Sequence, residues 1–284
     1  MYPVISKAID LSNATDNEPI HIDFGRLKFI EPVGVVILSN LIEYLNRKNI
    51  RCEFSGLFLT NEANVYLDDS GFFRKYLGSP LRAHAASRPS CLPLTMVSNV
   101  QAVGYLNFTL IPWLANRLKV SEQALATISV CLDEVFSNIN YHSGVDYGCL
   151  HIQDFHKTRE IQIAISDFGT GIPFNVRKIE PSASDSIALK LAAKEGFTTQ
   201  SNVKNRGAGL ATLIRYLTTK DRGKVWLVSG RANLSAVHDK TNGSSKITAR
   251  PTLGPYPGTL VRLTLKQDSI ADFAADVETE EFSW

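Results

Sequence analysis

Three polar residues that recur at every fourth position form the first candidate catalytic group. Glu134, Asn138 and His142 lie in "CLDEVFSNINYHS". Steps of four residues drift only about 40° around an α-helix, so their side chains form one stripe. On a pocket wall, the Glu can act as a general base and the Asn oxygen can ligate a hard cation such as Mg²⁺. Taken alone, the stripe is more typical of a solvated helix flank.

The stretch "DFGTGIP" begins at Asp167 and supplies a second candidate group. Gly169 and Gly171 lack side chains, so the backbone can turn sharply and approach a ligand closely. The Asp167 carboxylate can accept a hydrogen bond from an exocyclic amine such as that of adenine. The alternative is an ordinary strand-ending turn, which Asp and Gly also favour. A protein-kinase D-F-G is not indicated, because H-R-D, A-P-E and an upstream G-x-G-x-x-G are all missing.

The third group is the glycine-rich "KNRGAGL". Free N–H groups and the positive dipole end at a helix start attract phosphate, and nearby cations add to this attraction. The residues concerned are Lys204, Arg206, Gly207, Ala208, Gly209 and Leu210. The alternative is a glycine N-cap with incidental basic neighbours.

The elements that must position these residues can be predicted from periodicity. Apolar residues at helical spacing, from Leu125 to Ile139, predict one long helix that carries the Glu134 stripe beside its buried face. Alternation in "CLHIQDF" and "EIQIAIS" predicts an antiparallel hairpin whose second strand runs into Asp167. Helices are predicted in "SDSIALKLAAKEG" and "GAGLATLIRYLTT", and strands in "KVWLVSG" and "GTLVRLTLK".

The order of these motifs is more specific than any one of them. A helix with E-x-x-x-N, a strand ending in D-x-G-x-G, a loop into G-x-G-L and a strand starting at Gly258 follow one another. In this combination the chain resembles the histidine-kinase-like ATPase superfamily, which includes the anti-sigma-factor serine kinases, over roughly residues 95–267. The resemblance implies an α/β fold, a two-layer α/β sandwich with a mixed sheet known as the Bergerat ATP-binding fold, with ATP and Mg²⁺ as ligands.

The resemblance also implies roles for the residues. Glu134 would be the catalytic base, Asn138 the magnesium ligand and Asp167 the adenine contact. Residues 172–206 would form a lid over the nucleotide. The remaining implied contacts are Gly169 and Gly171 at the turn, Gly207 and Gly209 at the phosphates, Thr259 near the adenine end, and Arg206 and His142 as in the anti-sigma kinases.

The first eighty residues read as a smaller α/β unit. "PIHIDF" and "IRCEFSG" are typical of strands, an amphipathic helix lies between them, and "NEANVYLDDSGFFRKYLG" predicts a helix interrupted near Ser70. This unit resembles the STAS domain of anti-sigma-factor antagonists. The family's phosphate-accepting serine falls at Val33 here, which has no hydroxyl, so the implied role is interaction or regulation. A small α/β domain unrelated to STAS is the alternative.

The domain interpretation follows from these two resemblances. We expect a STAS-like domain at 1–80, a Pro/Ser/Ala-rich linker at 81–95, an ATPase domain at 96–267 and an acidic tail at 268–284. A protein partner would bind the STAS-like domain or the tail, whose aromatic residues are Phe273, Phe282 and Trp284. The resemblance also allows a homodimer, because several members dimerise around ATP.

Composition narrows the function classes. With 30 Lys+Arg against 28 Asp+Glu, the net charge of +2 gives no support to nucleic-acid binding. The four cysteines form no C-x-x-C pair, which disfavours a zinc site or a disulfide framework. No stretch reads as a signal peptide or membrane span, so we expect a cytoplasmic protein.

Three functions stay open from the sequence. The favoured one is an ATPase that works as a conformational switch in a regulatory or signalling system. The others are an anti-sigma-type serine/threonine kinase acting on a partner protein, and a nucleotide-dependent binding module without turnover. A histidine autokinase is disfavoured, because the helical stretch 98–119 contains no histidine.

Overall fold

The structure is a computed structural model that describes residues 2–14, 18–142, 144–145, 147–197, 209–219 and 222–270. Its first unit is an α/β unit whose two short strands flank a long helix. The elements are α1 (Tyr2–Ala14), β1 (Ile20–Asp23), α2 (Pro32–Arg47), β2 (Cys52–Ser55), α3 (Glu62–Asp69) and α4 (Phe72–Leu77).

The second unit alternates helices with the strands of a larger sheet. A π-helical turn at Leu106–Leu110 joins its first two helices, and a 3₁₀ turn at Gln123–Leu125 precedes the longest helix. The elements are β3 (Cys91–Ser98), α5 (Asn99–Tyr105), α6 (Ile111–Leu118), α7 (Ala126–His142), β4 (Tyr147–Phe155), β5 (Glu160–Ser166), α8 (Ile172–Val176), α9 (Asp185–Ala192), α10 (Gly209–Thr218), β6 (Gly223–His238) and β7 (Ser245–Lys266).

Local sequence explains several helix starts. Pro32 occupies the first turn of α2, where its missing N–H leaves no helical bond unmade. Asn61 caps α3 by accepting from the N–H of Ala63, and Ser184 caps α9 by accepting from the N–H of Ile187. The predicted interruption near Ser70 is confirmed, because α3 ends at Asp69 and α4 begins after a left-handed Gly71.

The large sheet has the strand order β3-β4-β5-β7-β6, and all four pairings are antiparallel. The predicted hairpin between β4 and β5 is confirmed, as is the predicted α/β class. The sheet differs from the predicted mixed one: the helical crossover from β5 leads to β6, which runs parallel to β5 but does not pair with it, because the antiparallel β7 lies between the two. In the described part of the chain, parallel pairing is confined to the β1-β2 sheet of the first unit, which starts at Ile20 opposite Cys52.

Side-chain alternation gives the large sheet two buried faces. Ile161, Ile163 and Ile165 point into a core shared with α5, α6, α7 and α10. On the opposite face, Ala164 packs in a second core with residues of α1 and α2. The first unit therefore adds a third layer to the predicted two-layer sandwich.

The boundary between the units differs from the expected linker at 81–95. Strand β3 begins inside this stretch, at Cys91. Upstream of it, the N–H of Leu81 donates to the Asp68 side chain over 2.8 Å, and within it the N–H of Leu94 donates to the backbone oxygen of Ser70 over 2.8 Å. Backbone hydrogen bonds of this kind leave no periodic signature in a Pro/Ser/Ala-rich sequence, so composition alone indicated a linker.

Packing continues past 267, because Ile270 is buried in the core beneath α7 and α10; residues 271–284, which hold the tail aromatics, lie outside the described part. None of the helices described combines the length and apolar character needed to cross a bilayer. All four cysteines are free thiols.

Candidate functional site

The candidate site is centred on Asp167, which extends β5 by one residue. Its N–H donates to the backbone oxygen of Thr259 on β7 over 2.9 Å. Ile165, two residues earlier, faces the core beneath α7, so alternation places Asp167 on that same face of the sheet. The residue is only 2% exposed. A buried carboxylate therefore lies where the sheet meets the layer that carries Glu134.

The turn that follows Asp167 is built by glycine. The N–H of Gly169 donates to Oδ1 of Asp167 over 2.8 Å. Gly171 has φ 79° and ψ 166°, a conformation that essentially only glycine adopts. A Cβ on Gly171 would lie 2.6 Å from Oγ of Ser229 and 2.8 Å from the backbone oxygen of Gly258. The predicted need for Gly171 thus has a steric basis.

Ser229 joins the Asp167 turn to the Gly258–Thr259 segment, and these two segments form the corner of the candidate site. The sequence analysis did not predict this role. The hydroxyl of Ser229 accepts from the N–H of Ile172 over 2.9 Å and donates to the backbone oxygen of Gly258 over 2.6 Å. One side chain thereby ties the end of the Asp167 turn to the start of the Gly258–Thr259 segment. The available signal was the Ser229-Gly230 pair inside a strand, since glycine in a strand often marks a bulge. The β6–β7 register does shift at this point.

A second missed residue, Asp185, ties the segment after the turn to the sheet. Its Oδ2 accepts from the N–H of Arg231 over 2.6 Å, and its other oxygen pairs with Arg177. Gly230 allows this approach, because a Cβ there would lie 2.6 Å from Oδ2 of Asp185. The described portion of the predicted lid, residues 172–197, is therefore fixed at its base.

The electrostatics of Asp167 are unusual for an aspartate. Burial raises its pKa to about 7, although the backbone N–H groups around it and the Arg47 guanidinium oppose this shift. The carboxyl consequently changes charge near neutral pH. A carboxyl group that titrates near neutral pH next to a glycine-rich turn is typical of binding and catalytic sites.

Glu134 and Asn138 lie half-buried on α7, beside the apolar face formed by Ile128, Leu132 and Val135. Burial raises the pKa of Glu134, and the neighbouring Asp133 raises it further. Just beyond the end of α7, a Cβ on Gly144 would lie 4.0 Å from Cγ2 of Thr170 in the Asp167 turn. The C-terminal end of α7 therefore lies near this turn.

The glycine-rich group is only partly covered by the described residues. Helix α10 begins at Gly209, and Leu210 packs against the core below α7. Lys204, Arg206, Gly207 and Ala208 lie outside the described residues, as does the side chain of His142.

The arrangement brings the Asp167–Gly171 turn next to Thr259, which is far from it in sequence. An ionised Asp167 can accept a hydrogen bond from an exocyclic amine. Elsewhere in the described chain, no cluster of three or more His, Cys, Asp or Glu side chains is arranged to hold a metal. The amide oxygen of Asn138 is the cation ligand that the sequence indicated.

Comparisons with known proteins add little to this picture. No protein-family model matches the chain, and no curated protein sequence matches it either. Among solved structures, the ATPase region of Saccharomyces cerevisiae topoisomerase II is similar, with a TM-score of 0.27 and 11% identity. The match covers 43% of this chain and 32% of that one, so this chain spans about a third of its length.

Proposed function

We propose that the protein binds ATP with Mg²⁺ and hydrolyses it as a conformational switch. The observation that carries this proposal is the corner around Asp167. A buried carboxylate, whose turn residue Gly169 donates to it, lies against the Gly258–Thr259 segment on the face of the sheet that α7 covers.

The adenine end of the proposed ATP site is formed by the Asp167 carboxylate. Oδ1 of Asp167 is held by the N–H of Gly169, which fixes the carboxylate plane. A fixed acceptor in a buried site discriminates strongly for a ligand that carries the matching donor, because a ligand without it leaves the buried group unpaired. The exocyclic amine of adenine supplies such a donor, whereas the corresponding oxygen of guanine does not.

The phosphate end would lie along α7. Asn138 would hold Mg²⁺, which supplies positive charge against the phosphates when bound. Glu134 would accept a proton from the attacking water. Its raised pKa suits this role, because a stronger base accepts the proton more readily.

The switch would operate through the segment that follows the turn. Its base is fastened by Asp185 and Ser229, so a rearrangement of the segment around bound nucleotide would change the surface next to β6. A protein partner would read this change, and the first unit would contribute to the regulation.

Phosphoryl transfer to the first unit itself is not supported. Val33, at the position of the STAS acceptor, has no hydroxyl and packs beside the core between α2 and the sheet. Ser39, further along α2, is 0% exposed and bonded to the hydroxyl of Tyr76. Neither residue can present a hydroxyl to a nucleotide on the opposite face of the sheet.

The test uses the full chain with Mg-ATP labelled at the γ-phosphate. We expect free labelled phosphate from the wild type, its loss in Glu134→Ala with ATP still bound, and its retention in Asp133→Asn, the matched change one residue away. Asp167→Asn should weaken ATP binding. Unchanged affinity in Asp167→Asn would overturn the assigned pocket, and label retained on the protein would overturn hydrolysis in favour of transfer.

A further inference from the structure

Helix α2 of the first unit lies directly behind the Asp167 turn. The ring of Tyr44 meets the ring of Phe168 edge to face, with centroids 6.2 Å apart and planes at 65°. Phe168 in turn meets Tyr256 of β7, with centroids 5.3 Å apart and planes at 90°. Both geometries fall in the favourable range for aromatic pairs. A chain of three rings therefore connects α2 to the two segments that form the candidate adenine site.

These rings and the Asp167 carboxylate are mechanically connected. Asp167 and Phe168 are consecutive, so their side chains leave opposite faces of the extended backbone. Phe168 is 7% exposed and is held in the core between α2 and the sheet. Any displacement of its ring would move the backbone that carries Asp167 and the N–H of Gly169.

Residues on the face of the sheet that packs against α2 also contact β7, the strand that carries Thr259. The hydroxyl of Tyr256 is hydrogen-bonded to Oγ of Ser166, and this serine also donates to the backbone oxygen of Thr259 over 3.0 Å. The same carbonyl accepts from the N–H of Asp167. Packing on the α2 side of the sheet is thereby linked to both Asp167 and Thr259.

We propose that Tyr44 of α2 is a positioning residue through which the first unit sets the affinity of the site for adenine. Tyr44 does so by supporting Phe168, the residue next to Asp167. This inference rests on the proposed ATP site, and it gives the first unit a role that does not depend on a phosphate-accepting serine.

The experiment measures the Kd for ATP by calorimetry on the full chain between about pH 6 and pH 8. We expect Tyr44→Leu to weaken binding roughly five- to tenfold, which is the scale of one aromatic pair, while Tyr44→Phe stays within about twofold.

Amide hydrogen exchange of residues 167–172 without nucleotide supplies the second readout. In Tyr44→Leu, the amides of residues 167–172 should exchange faster than in the wild type, while amides in the middle of β4 keep their protection. If the wild type binds ATP but Tyr44→Leu matches it in affinity and in exchange, the positioning role is overturned. If the wild type does not bind ATP while Tyr44→Leu still accelerates exchange at the turn, the proposed function fails and the mechanical link from α2 to the turn stands.

Discussion

Gly258 lies so close to Asp167 that a Cβ on the glycine would come within 2.4 Å of both the backbone oxygen and Oδ1 of the aspartate. Gly258 also has φ 72°, in the left-handed region. The pocket therefore needs glycine at this position for two independent reasons, one conformational and one steric. The clash would involve the Asp167 carboxylate, which is the group proposed to bind adenine.

Gly258→Ala is expected to abolish ATP binding and to destabilise the fold. The left-handed backbone alone costs an alanine about 1–2 kcal/mol, and relief of the clash requires Asp167 or its turn to move. Chemical denaturation and ATP calorimetry would measure the two effects. Gly243→Ala is the matched control, because Gly243 has φ 70° with nothing within 4 Å of an added Cβ.

The control should show the conformational cost alone, with ATP affinity unchanged. Equal losses of stability in the two variants, with ATP still bound by both, would contradict the close approach of Gly258 to Asp167.

Asp167→Asn is expected to stabilise the protein without nucleotide, increasingly so at higher pH. The pKa of Asp167 is about 7 in the fold against 3.8 as the ordinary value. The folded state thus holds the proton more tightly than the unfolded chain, and the free energy of unfolding contributed by this group falls as pH rises from about 4 to 7. Above pH 7 the deficit is complete, at most roughly 4 kcal/mol.

Urea denaturation of both proteins at several pH values would measure this difference. The gain of Asp167→Asn over the wild type should be small near pH 4, grow through pH 5 and 6, and level off above about pH 7. A gain that does not vary with pH would show that the carboxyl is not the buried, proton-binding group described.

Much of this site follows from local patterns in the sequence. Alternation in β5 places Ile161, Ile163 and Ile165 on one face, and continuing it by two residues gives the face of Asp167. The glycines can be predicted for a similar reason, because the turn conformations that require glycine are set by local sequence. The helix carrying Glu134 follows from apolar residues at helical spacing.

The rest depends on contacts between distant segments. Ser229 and Asp185 act through bonds to Gly258 and Arg231, and a lone serine or aspartate in a sequence carries no sign of such partners. The placement of α2 behind the sheet did leave a signal. Its buried apolar residues fall on more than one side, which is typical of a helix covered by two layers. Its buried residues are Pro32, Val35, Val36, Ile37, Ser39, Asn40, Leu41, Ile42 and Leu45.

Ser229→Ala is expected to weaken ATP binding while the fold persists. The substitution removes the acceptor of the N–H of Ile172 and the donor to the oxygen of Gly258. Two buried backbone groups then lose their partner, at a cost of about 1–3 kcal/mol for each one that stays unsatisfied. Ser235→Ala, a serine further along β6, is the matched control.

Calorimetry with ATP and thermal unfolding would separate the two consequences. Ser229→Ala should lose stability and affinity together, while Ser235→Ala keeps wild-type affinity. An unchanged affinity in Ser229→Ala would show that the corner does not depend on this hydroxyl.

The pH profile of ATP hydrolysis is expected to report the ionisation of Glu134. A general base must be deprotonated, so the rate should fall as pH drops through its pKa, which burial raises above the ordinary carboxyl value and Asp133 raises further. Asp133→Asn removes that neighbouring charge and should move the acidic limb of the kcat profile to lower pH without changing the plateau. Glu134→Gln should lower kcat by about a hundredfold or more at every pH. An acidic limb that stays in place in Asp133→Asn, or substantial turnover in Glu134→Gln, would assign the base to another residue.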